Sequence, residues 1–198
     1  KKDLNFIKKD RSLSMKKTTP QQIARLISEG HVVARFSFEP SEFGPRALGN
    51  RSILADPRQQ DIINHINKKI KVRDFWMPFA PSILEQDIKK YIDIKKNHIP
   101  HFMTISFDAT KKGIKCIPAA VHPFDKTSRP QIVLKSQNKN YHDLISQFKK
   151  ITGVGAVLNT SFNLHGEPIV SSPRDAVRTL KKSGINFLFI GDYLVKKL

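Results

Sequence analysis

Three segments of this chain gather residue types suited to holding an anion beside an amide. The first is Glu42-Phe-Gly-Pro-Arg-Ala-Leu-Gly-Asn-Arg-Ser52, which follows one apolar run and precedes another. Gly44 and Gly49 permit backbone conformations and close approaches that a side chain would block, and Pro45 stiffens the turn between them. Arg46 and Arg51 supply planar guanidinium forks that match phosphate or carboxylate. No Gly-Lys-Ser/Thr follows the glycines, so the segment is not a P-loop. The second segment is Ile70-Lys-Val-Arg73, which in extended form puts Lys71 and Arg73 on one face. Two neighbouring cations repel unless an anion joins them, and a polyphosphate would do so. The third runs from Val157 through Asn159-Thr-Ser-Phe-Asn163 to Ile169. Here an apolar strand passes straight into hydrogen-bonding side chains, and ligands of open α/β sheets bind at such strand ends. Asn159, Ser161 and Asn163 both donate and accept without net charge, which suits an amide-like group.

Other candidates are weaker. Asp125, Thr127, Ser128 and Arg129 lie in a loop before a strand, and taken alone that loop reads as a plain turn. His165 beside Gly166 reads as an exposed loop residue, and His98 and His101 are separated by Pro100, a poor metal-ligand spacing. Phe75, Trp76 and Phe79 read as core residues in a proline-stiffened segment, not as a base-stacking platform. There is no nucleophile elbow and no Cys/His signature, and the acids are too scattered to nominate a carboxylate pair. Chemistry here would rest on positioning and charge stabilisation, with no covalent attack and no protein-held metal.

The elements that must position these residues alternate between helix and strand signals. Thr19-Pro20, Asp56-Pro57 and Ser172-Pro173 each combine an N-cap residue with a proline suited to the first helical position. Apolar residues follow at helical spacing, and a further helix fits Tyr141 to Ile151. Strand-like runs lie at 31–36, 102–107, 131–134, 155–158 and 185–190. Several are nearly continuous in apolar residues, as strands covered on both faces are. The expected fold class is a layered α/β domain with a twisted, mostly buried mixed sheet flanked by helices. Residues 1–18 read as a basic linker or tail and 19–198 as the domain proper.

Composition bounds the function classes. With 198 residues, 39% of them hydrophobic and 13 of them Phe, the chain can bury a core of its own. No apolar run approaches the ~20 residues of a membrane span, and the single Cys116 suits a reducing cytoplasm. Lys and Arg outnumber Asp and Glu by 35 to 17, a formal charge of +18 that attracts anions. Paired lysines such as Lys89-Lys90 and Lys149-Lys150 account for much of the excess and read as solvated helix faces. A basic nucleic-acid-binding module is the alternative. The lysines are scattered and no RNA-recognition or zinc-finger signature is present, so nucleic acid is the less favoured partner. A catalytically silent piece that only docks on a larger transferase is a third reading.

In this order and spacing the segments resemble the C-terminal domain of the NodU/CmcH O-carbamoyltransferase family. The resemblance covers nearly all of residues 20–195. It is carried by Phe43-Gly-Pro-Arg-Ala-Leu-Gly-Asn-Arg-Ser-Ile-Leu-Ala-Asp-Pro-Arg58, by Val72-Arg73 with Pro78-Phe-Ala-Pro81, and by Asn159-Thr-Ser-Phe-Asn163 with Gly166-Glu-Pro-Ile-Val170. It implies a YrdC-like fold in which Lys71-Val-Arg73 and Thr160-Ser-Phe-Asn163 surround an acyl-adenylate site. It implies carbamoyl phosphate and ATP as substrates, with Mg²⁺ arriving on ATP. Arg46, Lys71 and Arg73 would then act on the phosphates, with Asn50, Arg51, Arg129, Asn159, Ser161 and Asn163 as binding residues. Transfer of the carbamoyl group to a hydroxyl acceptor would need an N-terminal Kae1-like domain, in the same protein or in trans. Two departures stand out. Phe38-Glu-Pro-Ser-Glu42 is one residue longer than the family pattern, and the loop before Arg129 is also longer, with Lys126 in place of a glycine.

Overall fold

The computed structural model describes residues 4–67, 70, 79–94 and 99–198. The two strongest start signals become capped helices. In α2 (Pro20–Ser28) the Thr19 hydroxyl accepts from the Gln22 backbone while the Gln22 side chain returns to the Thr19 N–H. The same reciprocal capping box opens α7 (Pro173–Lys182) between Ser172 and Asp175. The long α6 (Lys139–Thr152) begins at an Asn138 cap and ends on Gly153 in the left-handed region. Asp56-Pro57 behaves differently from its sequence signal. The Asp56 carboxylate, fully buried, is taken by Arg58 through paired bonds of 3.0 and 2.6 Å, and α3 starts only at Asp61–Ile66.

Eight strands form one mixed sheet: β1 (Leu13–Lys17), β2 (Val33–Phe36), β3 (Arg51–Ala55), β4 (Ala80–Leu84), β7 (Gln131–Val133), β8 (Ala156–Ser161), β9 (Phe187–Ile190) and β10 (Tyr193–Lys197). Their order is β1-β10-β9-β2-β3-β8-β4-β7, with β2/β9 and β4/β7 parallel and the other neighbours antiparallel. Strands β2 and β3 are buried at every position, as two-sided coverage requires. Helices α2 and α6 pack on each other beside the sheet through Ile23, Ile27, Leu144, Ile145 and Phe148, all with no exposure.

Two expectations change. Most of the apolar stretch 102–107 is bend and irregular backbone, and only Phe107–Asp108 (β5) pairs, with Thr127–Ser128 (β6). The basic segment read as a linker or tail is structured: β1 pairs along its whole length with β10, and Leu4, Ile7 and Leu13 are buried. No helix among the described residues is long and apolar enough to cross a membrane.

Candidate functional site

The register decides which segments meet. Because β2 runs antiparallel to β3 and β3 to β8, the end of β2, the start of β3 and the end of β8 share one sheet edge. The start of β4 joins them, since Ala80 pairs with Asn159. The glycine-arginine segment is the β2–β3 connection, and it crosses that edge.

Side chains hold this connection from both ends. One Glu42 carboxylate oxygen accepts from the N–H groups of Leu48 (2.8 Å), Asn50 and Arg51 (3.3 Å). Arg35, almost fully buried on β2, donates to the Gly49 carbonyl and to Asn50 Oδ1. Burial draws the Arg35 guanidinium down to about 10. Asn50 in turn donates to the Pro40 carbonyl at 2.8 Å and accepts from Asn138 at 2.9 Å. Beneath the loop, Ser82, Gln131 and Asn159 form a buried polar cluster from three adjacent strands. The Ser82 hydroxyl donates to Gln131 Oε1 (2.6 Å), and Gln131 Nε2 donates to the Leu48 carbonyl (2.8 Å). Asn159 Nδ2 donates to the Ala47 carbonyl at 3.0 Å.

This scaffold frames a cavity of about 70 Å³ between the loop, the start of β4, Met103 and the end of β8. Of the residues nominated from sequence, Arg46, Arg129, Asn159 and Ser161 line it together. Asn163 stands just behind, where the Ser161 hydroxyl donates to its Oδ1 at 2.6 Å and its Nδ2 closes the following turn onto the Glu167 carbonyl at 2.7 Å. Asn50 and Arg51 do not line the cavity. Arg51 is buried, its guanidinium 3.9 Å from the centre of the Phe36 ring and donating to the Ser37 and Asn50 carbonyls. Burial lowers its pKa, and its carbonyl contacts tie it to the loop. Arg58 is likewise engaged, by Asp56. Lys71 and Arg73 lie outside the described residues. Ahead of Arg129, Lys126 adopts a φ of 57°, the left-handed conformation that a glycine takes without cost, and Asp125 folds the turn by accepting from the Thr127 N–H and hydroxyl. Sequence spacing missed Glu42, Arg35, Ser82 and Gln131 as site builders. The available signals were an acid next to the glycine segment and single polar residues inside apolar strands.

The assembled site therefore places two guanidinium groups beside a buried amide and a hydroxyl at a strand end. Residues 24–197 match the family described as Carbamoyltransferase C-terminus. The chain belongs to that family. Nodulation protein NolNO of Sinorhizobium fredii is 42% identical over 176 residues, covering 88% of this chain and 25% of that protein. The 3'-hydroxymethylcephem-O-carbamoyltransferase of Amycolatopsis lactamdurans is 33% identical over 153 residues, covering 76% of this chain and 28% of that enzyme. This carbamoyltransferase C-terminal chain thus spans between a quarter and a third of these relatives. Full-length HypF in its phosphate- and nucleotide-bound form shares the fold, with a TM-score of 0.56 at 16% identity, over 94% of this chain and 22% of HypF. The expected YrdC-like architecture is what the family member adopts.

Proposed function

We propose that this chain is the carbamoyl-activating part of an O-carbamoyltransferase, using carbamoyl phosphate and ATP to form carbamoyl adenylate. The observation that carries the reading is the meeting of Arg46 and Arg129 with Asn159 and Ser161 around one small polar cavity. At about 70 Å³ it is far below the ~300 Å³ at which whole-ligand pockets begin, so it fits the carbamoyl or phosphate end of a substrate, with the nucleotide outside. The balanced reaction consumes carbamoyl phosphate, water and ATP. Cleavage of the P–O bond by water gives carbamate and phosphate. A carbamate oxygen then attacks the α-phosphorus and expels pyrophosphate. Arg46 and Arg129 neutralise phosphate charge, and Lys71 and Arg73 are assigned to the same task from sequence. Mg²⁺ accompanies ATP as part of the substrate.

The carbamoyl group passes to a hydroxyl acceptor on an N-terminal Kae1-like domain, consistent with relatives three to four times as long. Phe43 and Phe102, within two residues of the cavity-lining Pro45 and Met103 in sequence, are exposed and offer apolar surface for such a domain to cover. Carbamoyl phosphate-dependent exchange of pyrophosphate into ATP tests the activation step. Exchange that ignores carbamoyl phosphate, or that survives both Arg73→Ala and Arg129→Ala undiminished, would overturn the reading.

A further inference from the structure

We infer that Asn159 is a specificity-determining residue, whose side-chain oxygen recognises the amide N–H₂ of a carbamoyl phosphate and so rejects its acetyl isostere. This rests on the carbamoyl-activation reading and adds to it a discriminating atom.

The orientation of the Asn159 amide follows from its neighbours. The single hydroxyl proton of Ser82 goes to Gln131 Oε1, and Gln131 is itself oriented by the bond from its Nε2 to the Leu48 carbonyl. Toward Asn159, Ser82 Oγ and Gln131 Oε1 therefore both present lone pairs. The Ala47 carbonyl is a third acceptor. Ser82 Oγ, Gln131 Oε1 and the Ala47 carbonyl lie 3.0, 3.3 and 3.0 Å from one terminal atom of Asn159, and an atom facing three acceptors is the NH₂, its two hydrogens shared among them. The other terminal atom must be Oδ1.

That oxygen is buried on a side chain with 1% exposure, and among the described residues it has no hydrogen-bond partner. A buried acceptor left unpaired is costly, and a ligand N–H is the partner that would satisfy it. Asn159 lines the cavity beside Arg46 and Arg129, which supply donors for an anion. The ligand that completes the set carries an anionic group at one end and an N–H at the other. Carbamoyl phosphate does. Acetyl phosphate has the same shape but presents a methyl group to the oxygen, and a carboxylate oxygen there would set lone pair against lone pair. A site built around such an acceptor discriminates far better than an apolar pocket, because the wrong ligand leaves the acceptor unpaired.

Calorimetric titration of the chain with carbamoyl phosphate and with acetyl phosphate, for the wild type and for Asn159→Leu, tests this. The wild type is expected to bind carbamoyl phosphate at least about tenfold more tightly. In Asn159→Leu the ratio should fall to within about twofold, because the discriminating acceptor is gone. Equal wild-type affinities would overturn the inference. So would an Asn159→Leu variant that weakens both ligands alike and keeps the ratio, since that is what a purely structural residue does. Should circular dichroism find Asn159→Leu unfolded, the smaller Asn159→Ala is titrated in its place, and the same collapse or retention of the ratio decides. Binding of neither phosphate would instead overturn the carbamoyl-activation reading beneath it.

Discussion

Replacing Gly49 by alanine is expected to destabilise the chain through two separable terms. Gly49 sits at φ 122°, where side chains are rarely tolerated, and this backbone term costs about 1–2 kcal/mol. A Cβ at Gly49 would also lie 2.4 Å from Tyr141 Cδ1 and 2.7 Å from Cε1. The ring has nowhere to go. Tyr141 is fully buried on α6, with the Arg35 guanidinium 5.3 Å from its ring centre. Overpacking of this kind costs about 1–3 kcal/mol, giving a total of roughly 2–5 kcal/mol. In a domain of this size that lowers Tm by roughly 4–20 °C in a calorimetric or circular-dichroism melt. Gly44→Ala isolates the backbone term, because Gly44 has φ 104° and nothing within 4 Å of its added Cβ. It should lose only about 1–2 kcal/mol. The Gly49→Ala, Tyr141→Leu pair should fall short of additivity by about 1–3 kcal/mol. A Gly49→Ala melt within about 2 °C of wild type would refute the account of how this loop is seated.

The remaining predictions concern the site's cations and the buried charges. Arg129→Ala should reduce carbamoyl phosphate-dependent pyrophosphate exchange by at least about tenfold, whereas Arg58→Ala should leave exchange unchanged below its lowered melting temperature, because Arg58 is engaged by the buried Asp56, the Ser28 carbonyl and the Phe148 ring, away from the cavity. Lys126→Gly should raise stability by about 0.5–1 kcal/mol in urea unfolding, since a glycine relieves the φ of 57°. Asp87, fully buried, is penalised by desolvation, yet hydrogen bonds from Lys149 and Lys90 prevail and hold its carboxyl below the ordinary 3.8. Its contribution is thus complete above that pH and is lost as pH falls through the lowered value. Both lysines are partly exposed, so Asp87→Asn should cost about 1–3 kcal/mol at pH 7 and flatten the acid limb of the stability curve.

What the sequence made legible was local. Thr19-Pro20 and Ser172-Pro173 announce their helices because the cap, the proline and the returning side chain lie within four residues. The cavity's Arg46, Asn159 and Ser161 were nominated because unusual residue types cluster at a strand end. What was hidden depends on distance along the chain or on mixed signals. Strand β4 carries Pro81, which weakens any strand pattern, but Pro81 opposes Leu158 and lies before the register of β7 begins at Ser82. Strands β1 and β10 are short and lysine-bearing, and pairing between segments far apart in sequence is what makes β1 the sheet edge and β10 its neighbour. Asp56 had every local mark of a helix cap until Arg58 claimed its carboxylate. The burial of Arg51 against Phe36 is likewise a tertiary fact that no local pattern carries. The Ser82–Gln131–Asn159 cluster joins residues 28 to 77 positions apart, a link no spacing rule could reach.

The antiparallel partnership of β1 and β10 has a topological consequence. It brings Leu198 N within 3.0 Å of the Ser12 carbonyl, so the sheet's outermost pair joins strands about as far apart in sequence as any in the fold. Each strand also shields the other: without β1, the backbone ladder of β10 would become an open sheet edge able to pair with another chain.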